Sequence, residues 1–217
     1  MIPSPQEPSP PLLDVLVCFA VREEGRFFKP KPNHRVVYTG MGRNNAARVI
    51  EERCAARRPD LVVTCGFAGG LNPTFSESDV VFDADLETQL ESKLHDAGAK
   101  RATFFCTNRV AITSDEKMRL WRNIAMDILE MESETIRDHC RDLGIPGATI
   151  RTISDSAHDD LPLDFTLLMN NRQHVNYKKM SWLLLKSPRL IIDLLAFQKK
   201  ATDAAQALAT CLEKVLP

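Results

Sequence analysis

Three carboxylates stand at places in this 217-residue chain where proton chemistry could be built. Glu24 follows the apolar run LDVLVCFA, Glu132 follows DILEM, and Asp155 closes GATIRTISD. A carboxyl group at the end of a buried strand, close to others of like charge, binds its proton more tightly and can serve as acid or base. Each alone reads as a surface residue; three at equivalent positions read as a cleft. The densest stretch is AMDILEMESETIRDHC, residues 125 to 140, where Glu130, Glu132 and Glu134 surround Met131. Burying any of these carboxylates without a partner would be costly. Glu134 is therefore assigned to the first turn of a helix, where the helix dipole favours negative charge.

The elements that must position these groups alternate along the chain. LDVLVCFA, HRVVYTG, DLVVTCG, SDVVFDAD, RATFFCT, AMDILEM and GATIRTISD read as strands. NNAARVIEERCAARR (44–58, stopped by Pro59), LETQLESKLHDAG, DEKMRLWRNI and SETIRDHCRDLG read as helices. Alternation of apolar strands with amphipathic helices predicts an α/β fold in three layers. Its central sheet should be mostly parallel or mixed, flanked by helices. All nine glycines lie before residue 148, and the texture changes after Asp155. Residues 161–217 should form a helical C-terminal part of two or three helices divided by Pro188. A membrane-facing amphipathic helix over 180–200 is a lesser alternative to core or subunit packing. Residues 1–11 form a proline-rich tail, and 12–217 read as a single domain.

In an open parallel sheet, ligands bind beyond the carboxyl ends of the strands. Two glycine-rich exits fall on that edge. In TGMGRNNA, Gly40 and Gly42 precede a helix whose exposed N–H groups could hold an anion or a hydroxyl. In CGFAGGLNP, three glycines within five positions allow close backbone approach. A dinucleotide fingerprint would need glycine where Asn45 stands, and no phosphate-loop GKS or GKT is present. A G-x-S-x-G nucleophile elbow is also missing. No metal site is expected: the acids of DAD (83–85) and SAHDD (156–160) lack a recognised ligand spacing and read as solvated loops. His158, near Asp155, is placed at the pocket rim.

The bulk numbers leave room for this reading. With 26% charged residues and a formal net charge of −1, nothing calls for a nucleic-acid partner. Six isolated cysteines without a CxxC pair read as reduced core residues of a cytoplasmic protein. MIPSPQEPSPPLL has neither the charge nor the apolar stretch of a signal peptide, and no run is long enough for integral membrane insertion.

Four segments, FAVREEG, TGMGRNNAA, TCGFAGGLNP and the pair LEMES with IRTISD, resemble the nucleoside phosphorylase/nucleosidase superfamily over roughly residues 12 to 160. That superfamily includes purine-nucleoside and uridine phosphorylases and methylthioadenosine/S-adenosylhomocysteine nucleosidase. The glycine-free tail is closest in style to poorly characterised bacterial, hopanoid-associated phosphorylases. The resemblance implies a homo-oligomer, a dimer or larger, that cleaves the N-glycosidic bond of a nucleoside without a cofactor. It implies Asp155 as the acid toward a purine N7, Glu132 as the holder of the ribose hydroxyls, and Glu24 as the carboxylate that orients water. It further implies substrate contacts from Met131, Glu130, Phe67, Ala68, Gly69, Ser154 and Val110. Phe67 stands where these nucleosidases commonly carry a small polar residue. The aromatic that stacks on the base should fall near TNRVAIT, where the chain has only Arg109 and Val110.

Water and inorganic phosphate remain rival acceptors of the sugar. Phosphate would need backbone N–H groups and arginine; Gly42, Arg43 and Arg22 are the first candidates, with Arg26 and Arg109 near the same edge. Glu24 fits a hydrolase and would repel the anion, so hydrolysis is favoured. A non-catalytic nucleoside-binding protein is the third alternative.

Overall fold

The structure, a computed structural model, describes residues 13–163 and 188–217, with the backbone alone at 188–191. The tail at 1–11 and the segment 180–187 of the candidate membrane-facing helix lie outside the described residues. The described strands are β1 (Val15–Phe19), β2 (His34–Tyr38), β3 (Leu61–Gly70), β4 (Val80–Ala84), β5 (Lys100–Arg101), β6 (Phe104–Cys106), β7 (Ile128–Glu130) and β8 (Gly147–Asp155). The helices are α1 (Arg43–Ala56), α2 (Glu91–Asp96), α3 (Ser114–Ile124), α4 (Ser133–Asp142) and α5 (Pro188–Val215).

The sheet runs β2-β1-β3-β8-β4-β5, with β7 joined to β3 and β6 to β7. The β2–β1, β1–β3, β3–β8, β4–β5 and β6–β7 pairs are parallel, while β4–β8 and β3–β7 are antiparallel. Every residue of β1 and β8 is buried, as expected of central strands covered on both faces. Alternate residues divide between two layers. Val15, Val17, Phe19, Leu61 and Val63 pack toward Leu208, Leu212 and Val215 of α5. Leu16, Cys18 and Val62 pack toward Ile50 of α1 and Ile136 and Cys140 of α4. This is the three-layer α/β arrangement with a mixed sheet. All six cysteines lie buried and unpaired.

Several elements depart from the sequence reading. LETQLESKLHDAG is no single helix: a 3-10 turn over Leu86–Thr88 ends at Gln89, whose φ of 55° breaks the path before α2 begins. RATFFCT splits into β5 and β6, which join different parts of the sheet. AMDILEM contributes only three residues to β7, because Ala125 (φ 51°) caps α3. From Pro188 to Val215 the chain is one helix of 28 residues. Pro188 opens that helix, where its missing N–H costs nothing. No helix among the described residues is long and apolar enough to cross a membrane.

Candidate active site

Each carboxylate is delivered by a strand end. Ala20 and Val21 turn the chain out of β1, and their N–H groups donate to Glu24 Oε2 at 2.8 and 3.0 Å. The Phe67 N–H of β3 donates to Oε1 at 3.0 Å. Glu132 is the N-cap residue of α4 but does not cap it with its side chain. Instead Oε1 accepts the Gly42 N–H at 2.7 Å, at the start of α1. Asp155 is the last residue of β8. Its Oδ1 accepts the Ser154 hydroxyl at 2.6 Å and its Oδ2 the Lys117 ammonium of α3 at 2.5 Å.

These groups converge on one cavity of about 200 Å³. Ala20, Val21 and Glu24 line it after β1, Phe67, Ala68 and Gly69 from β3, and Ser154 and Asp155 from β8. Leu129, Glu130, Met131 and Glu132 form another wall, and Arg109, Val110 and Ala111 a third. The β7 wall arrives by an unexpected route. A parallel sheet would bring Glu132 to the same edge directly, but β7 runs antiparallel to β3. It reaches the site because β3 continues through a register shift at Ala68/Gly69 to Gly70 and pairs there with Ile128 and Leu129. A wider groove of about 630 Å³ lies elsewhere, along Asp83, Arg101 and Arg137. None of the three carboxylates lines it, and its arginines pair with Asp83, Asp85, Glu91 and Asp138.

Two buried cations beside these carboxylates were missed by sequence reasoning. Arg151 sits in the middle of β8 with 1% exposure, its Nη2 2.9 Å from Glu130 Oε2 and 3.5 Å from Glu132 Oε2. It also donates to the Cys65 carbonyl and the Thr64 hydroxyl. One guanidinium thus stands behind the acidic cluster. The available signal was a lone arginine within the otherwise uncharged run GATIRTIS. Lys117 was hidden among the ordinary charges of an exposed-looking helix.

Gly66 is where close approach is required. A Cβ there would lie 2.5 Å from both Arg151 Nη1 and Glu24 Oε1. Only glycine lets β3 pass beside this ion cluster.

The electrostatics follow from burial set against these partners. Burial pushes Glu132 up to about 7 against the pull of Arg151, with Glu130 and Glu24 adding like charge. Burial also raises Glu24, opposed by Arg151 and three backbone N–H groups. For Asp155 burial again wins, with Lys117 and Ser154 pulling the other way. Burial pushes Glu130 in the same direction, but there Arg151 and the N–H groups of Glu132 and Ser133 outweigh it and hold the carboxyl below its ordinary value. The raised Glu132 means that the folded protein holds a proton which the unfolded chain has released. That stability is present below about pH 4.5 and lost as pH rises to about 7, on the order of 3 kcal/mol.

The candidates for a phosphate site are not gathered in the cavity. Arg22 lies over the Tyr38 ring at 5.2 Å. Arg43 donates to the Cys106 carbonyl at 2.6 Å and pairs with Glu134, which stands in the first turn of α4. The Gly42 N–H is taken by Glu132. Arg109 does line the cavity and pairs with Glu116 of α3. His158 is exposed and not part of the lining. Among the described residues the cavity's aromatic surfaces are Phe67 and, from the C-terminal helix, Phe197. The acids of DAD form ion pairs, Asp83 with Arg101 and Arg137 and Asp85 with Arg137.

Comparison with known proteins agrees with this architecture. The chain superposes on the methylthioadenosine/S-adenosylhomocysteine nucleosidase of Neisseria meningitidis, solved with methylthio-immucillin-A, with a TM-score of 0.65 at 17% identity. That match covers 93% of this chain and 97% of that one. Futalosine hydrolase of Helicobacter pylori matches with a TM-score of 0.63 at 16% identity, covering 93% and 98%. The nucleosidase of Colwellia psychrerythraea, solved with adenine, gives 0.63 at 15%, covering 94% and 96%. These likenesses establish the fold. No curated protein matches by sequence. The family model of the phosphorylase superfamily matches residues 19–82 and 74–178, which together contain every carboxylate described above. The chain therefore belongs to the phosphorylase superfamily.

Proposed function

We propose that this superfamily enzyme cleaves the N-glycosidic bond of a purine nucleoside or adenosyl derivative, with water as the acceptor and no cofactor. The observation that carries the reading is the convergence of Glu24, Glu132 and Asp155 on one cavity. Departure of a purine leaves an oxocarbenium-like sugar and an electron-rich base. Glu132, ionised, accepts the two ribose hydroxyls and fixes the ring, so that binding energy is directed to the transition state. Asp155 protonates the base as it leaves. Glu24, held by three N–H groups, orients the attacking water and takes its proton. The developing positive charge on the sugar is stabilised by these same anions.

Hydrolysis is favoured over phosphorolysis by what the candidate anion-binding groups already hold. Gly42 and Arg43 are occupied by Glu132 and Glu134, and Arg22 rests on Tyr38. A phosphate in the cavity would face carboxylates without these donors to compensate, and Arg109, which does line the cavity, is paired with Glu116. The test is base release from adenosine, inosine, methylthioadenosine, S-adenosylhomocysteine and uridine, each with and without phosphate. Release without phosphate is expected, with a free sugar as co-product. Glu24→Gln should slow it by about a hundredfold or more. Strict dependence on phosphate would replace hydrolysis by phosphorolysis, and binding without turnover would leave a nucleoside-binding protein.

The raised Glu132 gives this site a pH signature. Below about pH 7 the carboxyl is protonated and loses its ability to accept both hydroxyls, so kcat/KM should fall toward acid. Glu132→Gln should lower kcat/KM by roughly a hundredfold and abolish that limb. An unchanged acid limb in the variant would assign the titration to another group.

A further inference from the structure

Lys117 is a buried charge that the mechanism above does not use. It lies on α3 with 1% exposure, and its ammonium makes three hydrogen bonds. Two go to backbone carbonyls in the turn after β8, Ser156 and Asp159, each at 2.9 Å. The third goes to Asp155 Oδ2 at 2.5 Å. The two carbonyls fix the nitrogen, so the remaining N–H points at the carboxylate. Lys117 does not line the cavity, so it meets a bound substrate only through Asp155. The other oxygen of Asp155 is covered by Ser154.

An ion pair raises a difficulty for an acid. An Asp155 carboxylate held in this ion pair carries no proton of its own to give. The nearest proton on its Oδ2 side is the one on Lys117. We propose that Lys117 is the source of the proton that Asp155 delivers to the leaving base. This rests on the glycosidic-cleavage reading above.

The step balances. As the C–N bond breaks, its electron pair goes to the base, which forms an N–H bond with the proton leaving Asp155. Asp155 takes a proton from Lys117, whose N–H bond breaks to leave a neutral amine. The attacking water forms the C–O bond and loses its proton to Glu24. Glu24 then releases that proton to solvent and Lys117 regains one, so the protein returns unchanged.

Other charges face this pair. Asp159 and Asp160 approach from the turn after β8, and Lys200 of α5 holds Asp159 together with Glu77 from the loop before β4. None of them touches the Oδ2 that receives the proton.

The test compares Lys117→Met and Lys117→Arg with the wild type, measuring kcat against pH for base release from a nucleoside. The wild-type rate should hold from neutral to mildly alkaline pH. In Lys117→Met, Asp155 must draw its proton from solvent. Its rate should stay within about tenfold of wild type in acid and then fall about tenfold per pH unit above the titration of Asp155. Lys117→Arg keeps the charge but gives up its proton far less readily, so kcat should fall about a hundredfold with KM little changed.

A nitrophenyl riboside, whose leaving group needs no proton, separates acid loss from damage. Both variants should hydrolyse it within a few-fold of wild type. A Lys117→Met profile parallel to wild type, or a Lys117→Arg variant at the wild-type rate, would overturn the proposal while leaving the proposed reaction intact. Loss of both substrates in folded variants would make Lys117 purely structural. If Lys117→Met does not fold, Lys117→Arg decides alone. A wild type silent toward every nucleoside overturns the reaction and this inference together.

Discussion

Asp155→Asn should lower kcat for nucleoside cleavage by about a thousandfold while changing KM only a few-fold. The asparagine preserves size, and its one carbonyl oxygen can still accept from Lys117 while its NH2 faces the Ser154 hydroxyl, but it cannot carry a proton to the base. A purine leaves poorly as an anion, so the missing proton appears in the barrier; a thousandfold corresponds to about 4 kcal/mol. In the proposed reaction the substrate contacts assigned to Phe67 and Glu132 are untouched, which is why KM should hold. The check is steady-state kinetics together with a thermal melt. The melt matters because Lys117, 1% exposed, loses its charged partner and keeps only neutral acceptors, among them two backbone carbonyls. An Asp155→Asn variant that is as fast as wild type would remove Asp155 from the role of acid. A folded variant with kcat intact and KM raised would make it a binding group.

Arg151→Met should cost about 3–5 kcal/mol of stability at neutral pH, enough to lower the melting temperature by several degrees or more. The side chain is fully buried, and a methionine of similar reach fills much of its volume. What it cannot replace is charge. Glu130 loses its 2.9 Å partner, and Glu132 and Glu24 lose the cation that opposes their desolvation. The three carboxyls must then take up protons to remain buried. The sign of the pH dependence follows: their folded-state proton affinity rises above that of the unfolded chain, so stability is retained in acid and lost as pH increases. The gap between Arg151→Met and wild type should therefore be wider at pH 8 than at pH 5 in calorimetry. Adding Glu130→Gln should recover part of the loss, since one charge fewer is stranded. A variant equally stable at both pH values would show that the guanidinium serves packing rather than charge.

Much of the candidate site was legible because strand ends are legible. Apolar runs that finish in a carboxylate or a glycine cluster mark the edge of an α/β sheet, and Glu24, Glu132 and Asp155 were placed there without coordinates. The alternation Val15, Val17, Phe19 against Leu16, Cys18 likewise follows from a strand covered on both faces, and it sorts into the two layers observed. Short elements were misjudged for a local reason. The left-handed residues Gln89 and Ala125 interrupt stretches whose composition reads as continuous helix or strand. Neither is glycine, so nothing in the residue type announced the break.

The amino-acid sequence by itself determined the three-layer class, the strands that are wholly buried and the carboxylates at their ends, because burial periodicity and strand termination are local properties. Tertiary structure alone decided which charges meet. Lys117 stands 38 positions from Asp155, and Arg151 stands 19 from Glu132 and 21 from Glu130. The register shift of β3 between Ala68 and Gly69, beyond which an antiparallel β7 delivers Glu132, is equally invisible in one dimension. A carboxylate's chemistry depends on the cation and the desolvation around it, and both are set by segments that come together only when the chain has folded.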